Sequence, residues 1–299
     1  MISVCYCGNR RVFPGLLLSV LSLAKHTERA VHVYVLSMDL HEQNAAFLPF
    51  TEGQIGILNE VLREKNPESR AEQIDMTAMY KERLAHGKNR KAAIYTPYAL
   101  LRLFLDRLPG LPEKMVYLDI DTMCAGDIAQ LFDTDVSGYE YAAVRDFMGK
   151  FWIDKNYCNS GVLLLNLPMI RETGLFERVR DLVCTKKMAM PDQSALHLCG
   201  TKRLYLPERF NEQRGLKQDT VVKHFCKGIK WILFVPLVYN IKQWQREKVH
   251  KRLKIRAFDD LYERYDELAA PHPKEFQATI RAKQRPCRAL FFYSSAAFS

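Results

Sequence analysis

The first 36 residues constrain the fold most. Ile2-Ser3-Val4-Cys5-Tyr6 opens a short apolar run that lasts to about Cys7, and Gly8-Asn9 then interrupts it. Across residues 12–26, Leu16, Val20, Leu23 and Ala24 fall at helical spacing. Val31-His32-Val33-Tyr34-Val35-Leu36 follows as a second strand-like run rich in β-branched residues. Strand, helix and strand in such close succession form a βαβ unit, which requires parallel strands. The alternation continues with an amphipathic helix at 54–65, a short strand at 72–76 and a helix at 96–108 opened by Pro97. Ala142-Ala143-Val144 and Val162-Leu163-Leu164-Leu165 are further strand candidates, and a helix opens at Pro191 and runs to about Leu198. The expected class is α/β with a mostly parallel sheet.

With 299 residues, 48% of them hydrophobic, the chain can bury one large domain or two smaller ones. No apolar run reaches the roughly 18 residues of a membrane-spanning helix. The N-terminus lacks a basic region followed by an apolar core and cleavage site, so a cytoplasmic protein is expected. Eight cysteines are scattered, and the only close pair, Cys5 and Cys7, does not have zinc spacing. On a strand these two share one face, and reduced thiols are expected. A net charge of +10 favours anionic partners. Residues 242–299 hold 13 Lys and Arg against 7 Asp and Glu, so the last fifth carries +6 of it. A dinucleotide fold needs G-x-G-x-x-G after its first strand, but Gly8 stands alone, and a P-loop is also missing. No zinc module or RNA-binding sheet motif accompanies the basic charge, so no nucleic-acid partner is expected.

Met115-Val116-Tyr117-Leu118 is an apolar run that ends in Asp119-Ile120-Asp121. Side chains two apart on a strand point the same way, and open α/β sheets bind ligands at the carboxyl ends of their strands. Two carboxylates placed there suit Mg²⁺ or Mn²⁺ carrying a phosphate. Three other stretches can carry chemistry. Asn159-Ser160-Gly161 stands directly before the apolar strand as a turn, Pro191-Asp192-Gln193 opens a helix, and His224 precedes Lys230 by six residues around Gly228.

In this order and spacing, with Arg102 placed 17 residues before Asp119, these pieces resemble glycosyltransferase family 8. Its members are retaining, metal-dependent enzymes that include glycogenin and the bacterial lipopolysaccharide galactosyl- and glucosyltransferases. The resemblance runs over about residues 1–240. It implies a single GT-A-type, Rossmann-like nucleotide-sugar-binding domain over residues 1–241 with a mixed, mostly parallel sheet, followed by a basic helical C-terminal extension over 242–299. By the same resemblance Asp119, Asp121 and His224 hold Mn²⁺ or Mg²⁺ against the diphosphate of UDP-glucose or UDP-galactose. Lys230 meets the diphosphate, and Arg102, Asn159, Asp192 and Gln193 hold the transferred hexose. Asp192, Gln193 and Lys230 are then the catalytic residues, and Cys7, Asn9, Ile120 and Gly228 line the nucleotide. The implied acceptor is a cell-surface glycan such as lipopolysaccharide or capsule, free or lipid-linked.

The chain departs from the family in three places. Cys7-Gly8-Asn9 stands where an aspartate usually ends the first strand. Lys230 is followed directly by Trp231, where the family has proline between lysine and tryptophan. Ser194 follows Gln193 where some relatives have aspartate. Without that second carboxylate, double displacement with groups about 5–5.5 Å apart lacks a nucleophile. Front-face transfer, in which the leaving phosphate takes the acceptor proton, is expected instead. The non-catalytic alternative is a nucleotide-sugar-binding protein of the same fold. The tail suggests a further partner: Lys248, Lys251, Arg252, Lys254 and Arg256 form one basic cluster, and Arg281, Lys283, Arg285 and Arg288 precede Leu290-Phe291-Phe292-Tyr293, a composition that suits an anionic membrane surface.

Overall fold

The computed structural model describes residues 1–89, 96–188, 190–232 and 235–276, the side chains of 230–237 excepted. Its centre is a seven-stranded sheet of order β3-β2-β1-β4-β7-β6-β8. The strands are β1 (Ile2–Cys7), β2 (Val31–Ser37), β3 (Arg70–Asp75), β4 (Lys114–Leu118), β6 (Tyr141–Arg145), β7 (Cys158–Asn166) and β8 (Arg203–Tyr205). β5 (Thr122–Cys124) and β9 (Val222–His224) form a separate two-stranded ladder, and β10 (Gly228–Ile232) and β11 (Val235–Tyr239) form a hairpin. From β3 through β4 the neighbours run parallel, β7 is antiparallel to both β4 and β6, and β8 is parallel to β6. The sheet is therefore mixed and mostly parallel, as expected.

Its two faces follow from strand alternation. Ile2, Val4 and Tyr6 face one apolar core, while Cys5 and Cys7 face the other. The first core is covered by α1 (Phe13–His26) and α2 (Glu52–Lys65). α1 is buried from Phe13 to Ala24, which explains its apolar residues on all sides. A reciprocal capping box between Thr51 and Gln54 starts α2 and satisfies two backbone donors. The Asp259–Ala269 helix lies over α1, and Val249, Phe258, Leu261, Tyr262 and Phe276 join the same core. All the described cysteines are free.

Two local expectations are corrected. The helix expected at 96–108 is shorter and of 3₁₀ type, Pro97–Phe104. With three residues per turn, Tyr98, Leu101 and Phe104 stack on one row, and all three are buried. Asn159-Ser160-Gly161 is not a turn before a strand but part of β7. It is held there because Arg145 pairs with Cys158 on one side and the Asp119 amide donates to the Gly161 carbonyl at 2.7 Å on the other. The tail cluster from Arg281 to Tyr293 lies outside the described residues.

Candidate active site

β4 stops at Leu118, and the chain turns at once: the Thr122 amide and hydroxyl both donate to the Asp119 carbonyl, at 3.1 and 2.8 Å. Asp119 and Asp121 therefore sit in a turn at the strand end rather than on the strand itself. Beyond it, β5 pairs antiparallel with β9 and sets Thr122 opposite His224. The Phe225 amide closes the corner on the Asp121 carbonyl at 2.8 Å. This ladder brings in an imidazole from 103 residues away, with Nε2 at 3.1 Å from Asp121 Oδ1 and 3.8 Å from Asp119 Oδ2. One ligand atom from each of the three residues lies within 4.8 Å of the other two.

The residues around this triad aim it. The Gly161 amide donates to Asn159 Oδ1 at 3.0 Å, and Asn159 Nδ2 donates to Asp146 at 2.9 Å, which sets the Asn159 amide unambiguously. Asn211 Nδ2 must then donate to Asn159 Oδ1, at 2.9 Å, so its own oxygen faces His224 Nδ1 at 3.1 Å. Nδ1 thereby donates to Asn211, and Nε2 is turned toward the two carboxylates, the usual support of a ligating histidine. Space is provided by Gly161, where a Cβ would lie 2.2 Å from His224 Cε1 and 2.8 Å from Asp119 Oδ2. Two carboxylates, an aimed imidazole and this gap fit a divalent cation. Gly161→Ala is expected to push His224 or Asp119 aside and to weaken Mn²⁺ binding by roughly 10- to 100-fold, the usual cost of disturbing a ligand's support. Titration of the purified protein with Mn²⁺ measures this, and unchanged binding would refute it.

Each carboxylate also has its own cation. Arg102, 2% exposed, spans Asp119 Oδ1 at 3.4 Å, the Ser160 carbonyl at 2.6 Å and the buried Asp192, and its guanidinium stacks on Tyr117. Tyr117 donates its hydroxyl to Asp119 Oδ1 at 2.7 Å. Lys242 donates to Asp121 Oδ2 and, at 3.2 Å, to the Phe225 carbonyl. Burial pushes the Asp119 carboxyl up, Arg102 pulls it down and the Asp121 charge pushes it up again, for a net rise. Burial works against ionisation of Asp121 as well, but Lys242 and His224 outweigh it and hold its carboxyl far below the usual range.

The remaining expected residues are divided between this cluster and its rim. Gln193 lies beside it, its oxygen accepting from the Ser160 amide at 3.1 Å and its nitrogen donating to Asp146 at 3.3 Å. Cys7 ends β1, the strand beside β4, and faces the same core as Tyr117. Asn9 is buried and caps the turn after β1 through the Arg11 amide. Ile120 is buried, and its carbonyl accepts from Gln243 at 2.5 Å. Gly228 starts β10 against the Tyr239 ring. Lys230 lies on β10 with its side chain outside the described residues; among the described side chains, Lys242 is brought to the carboxylates. Sequence reading missed Tyr117, Asp146, Asn211 and Lys242. A signal for the last was present: Lys242-Gln243-Trp244 has the one-residue gap between lysine and tryptophan that Lys230-Trp231 lacks.

Comparison with known proteins bears on the same stretch. The family model described as Glycosyl transferase family 8 matches residues 3–248. Lipopolysaccharide 1,2-glucosyltransferase of Escherichia coli (strain K12) is 30% identical over 171 residues, covering 51% of each chain. General stress protein A of Bacillus subtilis (strain 168) is 25% identical over 234 residues, 68% of this chain and 77% of that one. Among solved structures, the galactosyltransferase LgtC in complex with donor and acceptor sugar analogues superposes with a TM-score of 0.60 at 19% identity, over 90% of this chain and 96% of that one.

Proposed function

The chain belongs to glycosyl transferase family 8 and is a glycosyltransferase of GT-A fold, and from that premise we propose that it moves glucose or galactose from a UDP-sugar, with retention, to a cell-surface glycan. The observation that carries this reading is the convergence of Asp119, Asp121 and His224 within 4.8 Å, with Lys242 bound to Asp121 beside them. Two carboxylates select a hard cation, and the imidazole favours Mn²⁺ over Mg²⁺, which prefers oxygen alone. A cation held there would stabilise the negative charge that grows on the leaving diphosphate. Asp119, Asp121 and His224 would hold it, with Asn211 keeping Nε2 of His224 directed toward the carboxylates.

Arg102 and Asp192 form the buried floor on which the hexose rests, and the Gln193 amide, fixed at both ends by Ser160 and Asp146, lies beside the anomeric carbon. Asn159 is assigned a positioning role, because all its hydrogen bonds go to Gly161, Asn211 and Asp146. No second carboxylate follows Gln193, so the leaving phosphate oxygen takes the proton of the acceptor hydroxyl. The curated E. coli relative supports a lipopolysaccharide-type acceptor by its name alone, and the chain spans 51% of its length. Among the described residues no helix is long and apolar enough to cross a membrane. A cytoplasmic enzyme whose basic tail rests on an anionic leaflet is the reading we favour, and co-sedimentation of full-length and 281–299-deleted protein with anionic vesicles tests it.

UDP release from UDP-glucose and UDP-galactose with Mn²⁺ and no acceptor tests the reaction class, and release from neither would reject it. Lys242, rather than Lys230, is assigned to the diphosphate. Losing one charge-assisted contact costs about 1.5–3 kcal/mol, so Lys242→Ala is expected to lower kcat by roughly 10- to 150-fold. Lys230→Ala is expected to change kcat by less than about threefold, because the role at the diphosphate falls to Lys242. A reversed order of the two variants would return the role to Lys230.

A further inference from the structure

Between β6 and β7 the chain makes an excursion, residues 146–157, that leaves from Arg145 and returns at Cys158, one residue before Asn159. Its Gly149–Trp152 helix carries the two most exposed large aromatic side chains among the described residues, Phe151 at 72% and Trp152 at 74%. A scattered apolar residue at the surface needs no explanation, but adjacent exposed rings mark a contact surface.

The base under these rings is firmly held. Asp146 Oδ1 accepts from the amides of Met148 and Gly149, at 3.0 and 2.6 Å. Its Oδ2 accepts from Asn159 and Gln193, at 2.9 and 3.3 Å. One carboxylate thus ties the start of the aromatic helix to the sugar side of the site. Gly149 packs so tightly on Tyr157 that a Cβ would lie 2.3 Å from its ring, and the buried Tyr157 shares a 2.8 Å hydrogen bond with Ser194, the neighbour of Gln193. Phe147, by contrast, turns its ring to Arg214 at 4.6 Å and its edge to Phe151. A loosely held loop could fold Phe151 and Trp152 inward. This one is anchored through Asp146 and Tyr157 to Gln193 and Ser194, and keeps the two rings in water.

We propose that Phe151 and Trp152 are a stacking platform for a sugar ring of the acceptor glycan, which enters the site past Asn159 and Gln193; this rests on the glycosyl-transfer reading above. A pyranose has an apolar C–H face and a hydroxyl rim. A large ring takes the first, while the Trp152 indole N–H and the Lys150 ammonium, 5.3 Å from the Phe151 ring, can meet the second.

The test uses the full chain, with Phe151→Ala/Trp152→Ala and Trp152→Phe. Three quantities are measured: UDP release without acceptor, transfer at saturating donor to lactose, maltose and delipidated bacterial lipopolysaccharide, and binding to anionic vesicles. The double variant should release UDP without acceptor within about twofold of wild type yet need roughly tenfold more acceptor for half-maximal transfer, a loss of about 1.4 kcal/mol. Trp152→Phe should recover part of the difference, because it keeps a ring. An unchanged acceptor KM in the double variant, or saturable transfer to none of the three probes by a wild-type protein that does release UDP, would overturn the platform. Loss of binding to anionic vesicles with the acceptor KM unchanged would overturn it in favour of a membrane contact. Absence of UDP release from the wild type would instead reject the transferase reading beneath it.

Discussion

Replacing Asp121 by alanine is expected to reduce sugar transfer and acceptor-free UDP release at least 10²- to 10³-fold, because the charge stabilisation lost with a divalent cation is worth several kcal/mol and each ~1.4 kcal/mol is a factor of ten. Asp121 is the member of the triad closest to His224 and also the one bound to Lys242. Removing it takes away a ligand and frees the ammonium in one step. The protein should still fold, since the side chain is 15% exposed and lies at the edge of the core rather than within it. Chelation with EDTA should bring the wild type to the level of the variant, and added Mn²⁺ should restore the wild type alone. Full activity of Asp121→Ala, or of the wild type in EDTA, would reject the metal-dependent reading.

The second large effect is on stability. Arg102→Met should destabilise the fold by about 3–5 kcal/mol, the usual result of breaking a buried ion pair from one side. The guanidinium is 2% exposed, and its partner Asp192 is 5% exposed, so methionine leaves that carboxylate without its cation in a site water barely reaches. Asp119 and the Ser160 carbonyl lose a donor as well. Urea unfolding measures the change as a lower midpoint at constant slope. Arg102→Met/Asp192→Leu should regain much of the loss, because removing both charges removes the uncompensated one. A single variant as stable as wild type would mean that Arg102 is held for chemistry alone. A double variant as unstable as the single one would place the effect in Asp119 or in packing.

How much of this was legible beforehand depended on sequence distance. The βαβ start, the apolar β4 ending in two aspartates and the helix opened by Pro191 are local patterns, and each was found where expected. A helix opened by Pro97 was also found, but its 3₁₀ form was not legible, because a three-residue and a 3.6-residue period are nearly indistinguishable over eight residues. Asn159-Ser160-Gly161 read as a turn because its composition suits one. It is strand because β4 and β6 lie on either side of β7, and neither neighbour is visible from three residues.

Lys242 shows the same limit within the site. In sequence it opens the basic segment and counts as one positive charge among many, whereas in the structure it reaches Asp121 across 121 residues. Local composition determined the class of fold and the strand end that carries the two carboxylates, since periodicity and residue chemistry are properties of neighbouring positions, and the family resemblance added His224 as the third candidate ligand. The tertiary structure alone decided that Lys242 meets those carboxylates, how Gly161, Asn159 and Asn211 orient His224, and that Phe151 and Trp152 stand exposed on a loop tied to Gln193 through Asp146. These are hydrogen bonds and contacts between elements far apart in the chain, and only sheet register and packing bring them together.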